Sequence, residues 1–163
     1  MNDIPKQTTL ILSHQQIQDI LQRMAYQLWE EMGDAAAIVV MGISPRGFQL
    51  AEDLKRIWAG FSGAPPLEVI SYEAWQQSKS PSIPEGADVV LFDDVINTGV
   101  TMFRAMAQMA ALAPRRLLIG VLVHRDHLRF PVHPEIVGYT LSTTYQEHIY
   151  VILDKENYRA VLA

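Results

Sequence analysis

The chain has 163 residues, 49% of them hydrophobic and 19% charged, which is enough for one globular domain around a single core and too apolar for a disordered segment. No apolar run reaches the ~18–20 residues that a membrane span needs, and the absence of cysteine excludes disulfides and thiolate metal sites. The net charge of −5 weighs against nonspecific nucleic-acid binding, which relies on Lys and Arg to neutralise phosphates.

The first seven residues lack a basic stretch followed by an apolar one, so no signal peptide is visible and the cytoplasm is the expected compartment. Ser13 and Gln16 form a capping box before Ile17, Ile20, Leu21, Met24, Leu28 and Met32, a helical spacing that Gly33 ends. Residues 36–41 are a short apolar run, the mark of a strand buried on both faces. Residues 42–47 read as a loop, and Phe48, Leu50, Ala51, Leu54, Ile57 and Trp58 trace a second helix that stops at Gly60. After a turn at 62–66, residues 67–72 read as a strand. Residues 73–86 are polar, contain Pro81 and Pro84, and have no usable period; a loop of that length is usually functional or mobile. Strands at 89–94 and 117–123 flank a helix at 100–112, and strand-like pieces follow at 137–141 and 150–153. Arg115 and Arg116 read as solvated surface.

This alternation predicts an α/β fold, a mostly parallel sheet with helices on both faces, in a single domain over residues 1–163. Ligands of such sheets bind beyond the carboxyl ends of the strands, where the loops after 41, 92 and 123 gather. Residues 89–102 are the most informative. A buried strand runs into Asp93 and Asp94, and the small, hydroxyl-rich turn Asn97, Thr98, Gly99, Val100, Thr101 opens a helix. The first turn of a helix offers unpaired N–H groups and a positive dipole end, which suit phosphate. Carboxylates about one turn away suit sugar hydroxyls or a phosphate-bound metal ion.

This arrangement of apolar strand, two acids and Thr-Gly-x-Thr resembles the phosphoribosyl pyrophosphate signature of the type I phosphoribosyltransferases. It is neither a Walker loop nor a dinucleotide fingerprint, because the Lys and the GxGxxG spacing are missing. Residues 38–51 and 121–131 are similar to the branch of bifunctional pyrimidine-operon attenuator/uracil phosphoribosyltransferases, and residues 134–141 and 151–154 fit its end. The resemblance implies the type I phosphoribosyltransferase fold with a flexible lid loop at about 73–86. It also implies magnesium as cofactor and a homodimer or larger homo-oligomer.

By that resemblance Asp93 and Asp94 hold the ribose hydroxyls and assist the metal. Asn97, Thr98, Gly99, Val100 and Thr101 cradle the 5′-phosphate. Ser44, Pro45, Arg46 and Gly47 grip pyrophosphate, with Arg46 as the charged contact. Val123 and His124 border the base, and Arg125 stands near pyrophosphate. The plainer alternatives are turn carboxylates, a helix cap at Asn97 or Thr98, and a proline turn with a surface Arg. Lys79 reads equally as a lid cation for pyrophosphate and as a solvated loop residue. His124, His127 and His133 could bind zinc, but no further acid or thiolate joins them. Ile96, Val137 and Leu141 are assigned to the core.

Asn97 stands where purine-salvage relatives usually carry an Asp that exchanges a proton with the base, so a 6-oxopurine acceptor loses ground to pyrimidine-type or noncanonical ones, among which the branch resemblance alone favours uracil. Glu73, Ala74 and Trp75 replace the Arg and acids of the branch, which bears on catalysis more than on binding. The expected activity is transfer of phosphoribosyl from phosphoribosyl pyrophosphate to a nucleobase. The alternative is a nucleotide-sensing, RNA-binding regulator, disfavoured by the acidic charge; a third is a ligand-binding protein with neither activity.

Overall fold

The computed structural model describes residues 7–79, 82–155 and 157–163. Residues 1–6, on which most of the signal-peptide reading falls, and Pro81 lie outside the described residues. In chain order the elements are β1 (Thr9–Leu12), α1 (His14–Met32), β2 (Ile38–Gly42), α2 (Pro45–Trp58), β3 (Leu67–Ser71) and α3 (Tyr72–Ser78). β4 (Asp88–Ile96), α4 (Val100–Ala110), β5 (Arg116–Arg125), β6 (Ile136–Leu141), β7 (Ile149–Asp154) and β8 (Asn157–Leu162) follow.

Five parallel strands lie in the order β3-β2-β4-β5-β6, as the apolar runs imply. Alternate residues face opposite sides. Ile38, Val40, Val90 and Phe92 pack with α1 and α2, while Val39, Met41, Val89 and Leu91 pack with α3 and α4. From β2 the chain moves outward to β3, then returns across β2 to lay down β4. Such a reversal opens a crevice beyond the carboxyl ends of the two strands, the usual ligand position in open α/β sheets.

The helix starts have local causes. Ser13 and Gln16 form the expected capping box, with Ser13 N donating to Gln16 Oε1 at 2.9 Å, and Gly33 caps the far end of α1. α2 begins at Pro45, so the expected loop at 42–47 shrinks to Ile43 and Ser44. Ser44 caps that helix by accepting from Gly47 N at 2.9 Å, and a proline fits the first helical position because its missing N–H would have no partner there.

Three boundaries differ from expectation. β4 continues through Asp93 and Asp94 to Ile96, and β5 continues through His124 and Arg125, because Val95 pairs with Val123 and Ile96 with His124. Polar side chains do not end a strand whose backbone is still paired. Half of the expected lid loop is helix: Ser71 caps α3, and Tyr72 and Trp75, three residues apart, bury against the sheet. Lys79 lies over the Trp75 ring at 3.8 Å.

β1 and β8, which the apolar pattern does not announce, complete an antiparallel sheet in the order β1-β8-β7. Tyr158 ties it to the helices: its hydroxyl donates to buried Asp53 at 2.8 Å, and its N–H donates to His14 Nδ1 at 3.0 Å.

Arg115 and Arg116 are not idle surface cations. Both bind Asp88, fully buried at the start of β4, with Arg115 Nη2 at 2.7 Å and Arg116 Nη2 at 2.5 Å, and both reach Asp34. Hydrogen bonds from Arg115 and then Arg116 hold the Asp34 carboxyl down to about 2. The same two arginines outweigh the burial that would raise Asp88, leaving it below the usual carboxylate value. Carboxyls depressed in the folded state stabilise it above their unfolded pKa. This contribution is therefore predicted to be intact at neutral pH and lost as pH falls from about 4 to 2. Urea unfolding across that range checks it. The double substitution Arg115→Ala, Arg116→Ala, which leaves Asp88 buried without its partners, is expected to lower the stability at pH 7 and to flatten its loss toward pH 2.

Candidate functional site

The crevice between β2 and β4 is built from two helix starts and two acids. Asp93 is half-buried and Asp94 is 5% exposed, at adjacent positions of β4. Ser44 Oγ, 2.6 Å from Asp93 Oδ1 and 3.2 Å from Asp94 Oδ1, serves both carboxylates while it caps α2. Arg46 Nε donates to Asp94 Oδ2 at 2.7 Å, and Asp94 N donates to Asp93 Oδ1 at 2.9 Å. Burial first, and the neighbouring Asp94 second, push the Asp93 carboxyl up to about 7, against the opposing bond from Ser44. Gly47 makes the approach of α2 feasible: a Cβ there would stand 2.7 Å from Phe92 O and 2.9 Å from Asp93 Oδ1.

Beyond β4 the chain turns through Asn97 and Thr98 into α4. α1, α2 and α3 each start from a serine whose hydroxyl accepts a first-turn N–H. α4 starts from Gly99 in the left-handed region, φ 83°, with no side chain to cap it. The one hydroxyl contact to its first turn is long, 3.5 Å between Val100 N and Thr98 Oγ1. These N–H groups face a cavity of about 310 Å³ lined by Ser44, Asp93, Asn97, Thr98, Gly99 and Thr101, among others. An anion at an uncapped helix start meets oriented donors and the positive end of the dipole. The carboxylates on the facing wall suit hydroxyl groups. Together they fit a phosphorylated sugar.

A second cavity of about 400 Å³ shares Asn97 and Thr98 with the first. Arg46, Arg125, Arg129, His127, Tyr145, His148 and Tyr150 line it, with no carboxylate among the described residues. Tyr145 stacks on His127 with ring centroids 4.6 Å apart. Arg125, 6% exposed, gives Asn97 Oδ1 a hydrogen bond at 2.6 Å, which turns the amide NH₂ of Asn97 away from it.

The structure thus gathers Ser44, Arg46, Gly47, Asp93, Asp94, Asn97, Thr98, Gly99, Val100 and Thr101 around one crevice. Pro45 stays behind them as the first residue of α2. Val123 and His124 are not on either cavity wall. They lie inside β5, paired with β4 on one side and β6 on the other, and the Val123 side chain is fully buried. Ile96 is buried, and Val137 and Leu141 pack against the core as expected. Among the described residues no three His, Asp or Glu side chains come together as a metal-holding group. Asp93 and Asp94 offer hard carboxylate oxygens, three of them already engaged by Ser44 and Arg46. That set fits a magnesium ion held largely by the oxygens of its ligand, not by a protein cage. Tyr145, His148 and Tyr150 were not foreseen, because nothing in a short polar turn and an edge strand reveals which wall they join.

A family model described as phosphoribosyl transferase domain matches residues 7–154. The bifunctional protein PyrR of Nostoc punctiforme is 33% identical over 162 residues, spanning 91% of this chain and 90% of that protein. That of Chloroflexus aurantiacus is 32% identical over 158 residues, 88% of this chain and 87% of the other. Among solved structures, the HGPRT-ase of Leishmania tarentolae in complex with GMP aligns with a TM-score of 0.75 at 17% identity, over 98% of both chains. A hypoxanthine-guanine phosphoribosyltransferase of Bacillus anthracis aligns with a TM-score of 0.73 at 17% identity, over 97% of this chain and 99% of the other. At that identity the likeness is one of fold.

The geometry predicts that Gly47→Ala, by forcing the start of α2 off β4, lowers stability by about 1–3 kcal/mol and weakens binding of ribose 5-phosphate. Thermal unfolding and calorimetric titration measure the two effects.

Proposed function

Since the chain belongs to the phosphoribosyltransferase family, near the bifunctional PyrR branch, we propose that it transfers the phosphoribosyl group of phosphoribosyl pyrophosphate to a nucleobase, with uracil as acceptor. The observation that carries this reading is the uncapped start of α4 facing Asp93 across one cavity, with Asp94 beside it. The backbone N–H groups of Val100 and Thr101, with the hydroxyls of Thr98 and Thr101, take the 5′-phosphate. Asp93 and Asp94 accept the ribose hydroxyls. Arg46 exchanges its bond to Asp94 for the leaving pyrophosphate, on the wall shared with the second cavity, which takes the base.

As pyrophosphate departs, the anomeric carbon becomes cationic. The carboxylates below the ribose stabilise that charge, and Arg46 stabilises the charge on the leaving group. Magnesium, when bound, adds further neutralisation of the pyrophosphate. The remaining work, within a single-domain site, is positioning and exclusion of water. Asn97, which has no titratable proton to exchange with the base, and the branch of the relatives both support a pyrimidine acceptor over a 6-oxopurine.

The regulator reading finds less support. Arg115 and Arg116 are occupied by Asp34 and Asp88, and in the basic stretch 125–129 Arg125 is buried, which leaves Arg129 exposed.

The deciding experiment offers phosphoribosyl pyrophosphate, magnesium and a panel of bases, and measures pyrophosphate release. Release with uracil is expected, and Asp94→Asn is expected to lower kcat/KM roughly 10²-fold. If no base yields product while phosphoribosyl pyrophosphate still binds, the transferase reading fails and a sensor role remains.

A further inference from the structure

We propose that Arg125 is a positioning residue whose buried guanidinium latches the β6–β7 turn to the Asn97 carboxamide, so that the wall of the second cavity and the phosphate-binding turn behave as one unit. The assignments of that cavity to the acceptor base and of the Asn97 turn to phosphate rest on the transferase reading above; the latch itself does not.

Five hydrogen bonds leave this one side chain. Nη1 donates to Asn97 Oδ1 at 2.6 Å, and Nε donates to Thr143 Oγ1 at 2.9 Å. Nη2 donates to Thr143 Oγ1 at 2.7 Å, Thr144 O at 3.2 Å and Glu147 O at 2.7 Å. No carboxylate oxygen is among the acceptors. A buried cation resting on neutral oxygens is costly, and burial holds the Arg125 pKa below the ordinary arginine value. An apolar contact would hold a turn at lower cost, but it would not orient an amide. The planar guanidinium fork reaches two segments in fixed directions, which the single ammonium of a lysine does not.

The neighbours continue the same seam. Ser142 Oγ donates to Asp126 Oδ2 at 2.9 Å, His127 Nε2 bonds Thr143 O, and Thr144 N donates to Glu147 Oε2 at 2.7 Å. The turn so held carries Tyr145, which stacks on His127 in the cavity wall. Because these bonds use most of its N–H groups, Arg125 acts through Asn97 and the turn instead of gripping pyrophosphate itself.

The test compares the wild type with Arg125→Lys and with Thr143→Val, which removes the hydroxyl accepting two of the five bonds and keeps the side-chain shape. Amide hydrogen exchange without ligand is expected to speed up about tenfold or more in residues 97–99 and 142–148 of either variant, with the central strands unchanged. In turnover assays the KM for uracil is expected to rise about tenfold, more than the Kd for phosphoribosyl pyrophosphate rises. Unchanged exchange in both segments overturns the latch. Loss of phosphoribosyl pyrophosphate affinity in Arg125→Lys without faster exchange also overturns it, and returns Arg125 to the pyrophosphate. If no base is turned over, the exchange measurement still decides the latch separately from the transferase reading.

Discussion

Asp93 and Asp94 stand side by side on a strand enclosed by its neighbours, and the Asp93 charge is costly there. Burial and mutual repulsion raise the Asp93 carboxyl to about 7. The relief comes from one loop: Ser44 reaches both acids and Arg46 takes Asp94. For that loop to come close enough, α2 has to begin against the backbone of Phe92 and Asp93, where only a glycine at 47 fits. The cap of α2, the placement of Arg46 and the state of the acids are therefore a single arrangement. A ligand that brings hydroxyls to the acids and an anion to Arg46 replaces these internal contacts with its own.

The proposed phosphate end of the crevice follows from a cap that is missing. Serine closes α1, α2 and α3, and glycine leaves α4 open, aimed at the same crevice. The sheet order supplies the rest, since the reversal between β2 and β4 brings both helix starts to the same edge. Around this centre the elements differ in what secures them. Tyr158 fastens the antiparallel sheet to α1 and α2, and Asp88 with its two arginines fastens the far edge of the parallel sheet. Neither cluster touches the crevice.

Much of this was legible in the residues because it rests on local pattern. The Ser13–Gln16 box, the apolar runs of β2, β4 and β5, and the acids followed by a hydroxyl-rich turn are all written in adjacent positions. What escaped depends on distance or brevity. α3 has seven residues, too few to display a period, so a helix anchored by Tyr72 and Trp75 looked like a loop. β1 and β8 are short strands that pair across almost the whole chain. Arg115 meets Asp34 across 81 positions, and Arg125 meets a turn of unremarkable polar residues. β4 and β5 outlasted their apolar stretches because backbone pairing, not side-chain polarity, sets where a strand ends.

The central claim is that the open start of α4 and the acid pair hold the two ends of one phosphoribosyl ligand. A crystal structure with ribose 5-phosphate bound tests it most directly. The account predicts the phosphate on the backbone N–H groups of Val100 and Thr101, and the ring hydroxyls on Asp93 and Asp94. A phosphate seated instead among Arg125, Arg129 and His148, with the acids untouched, would contradict it.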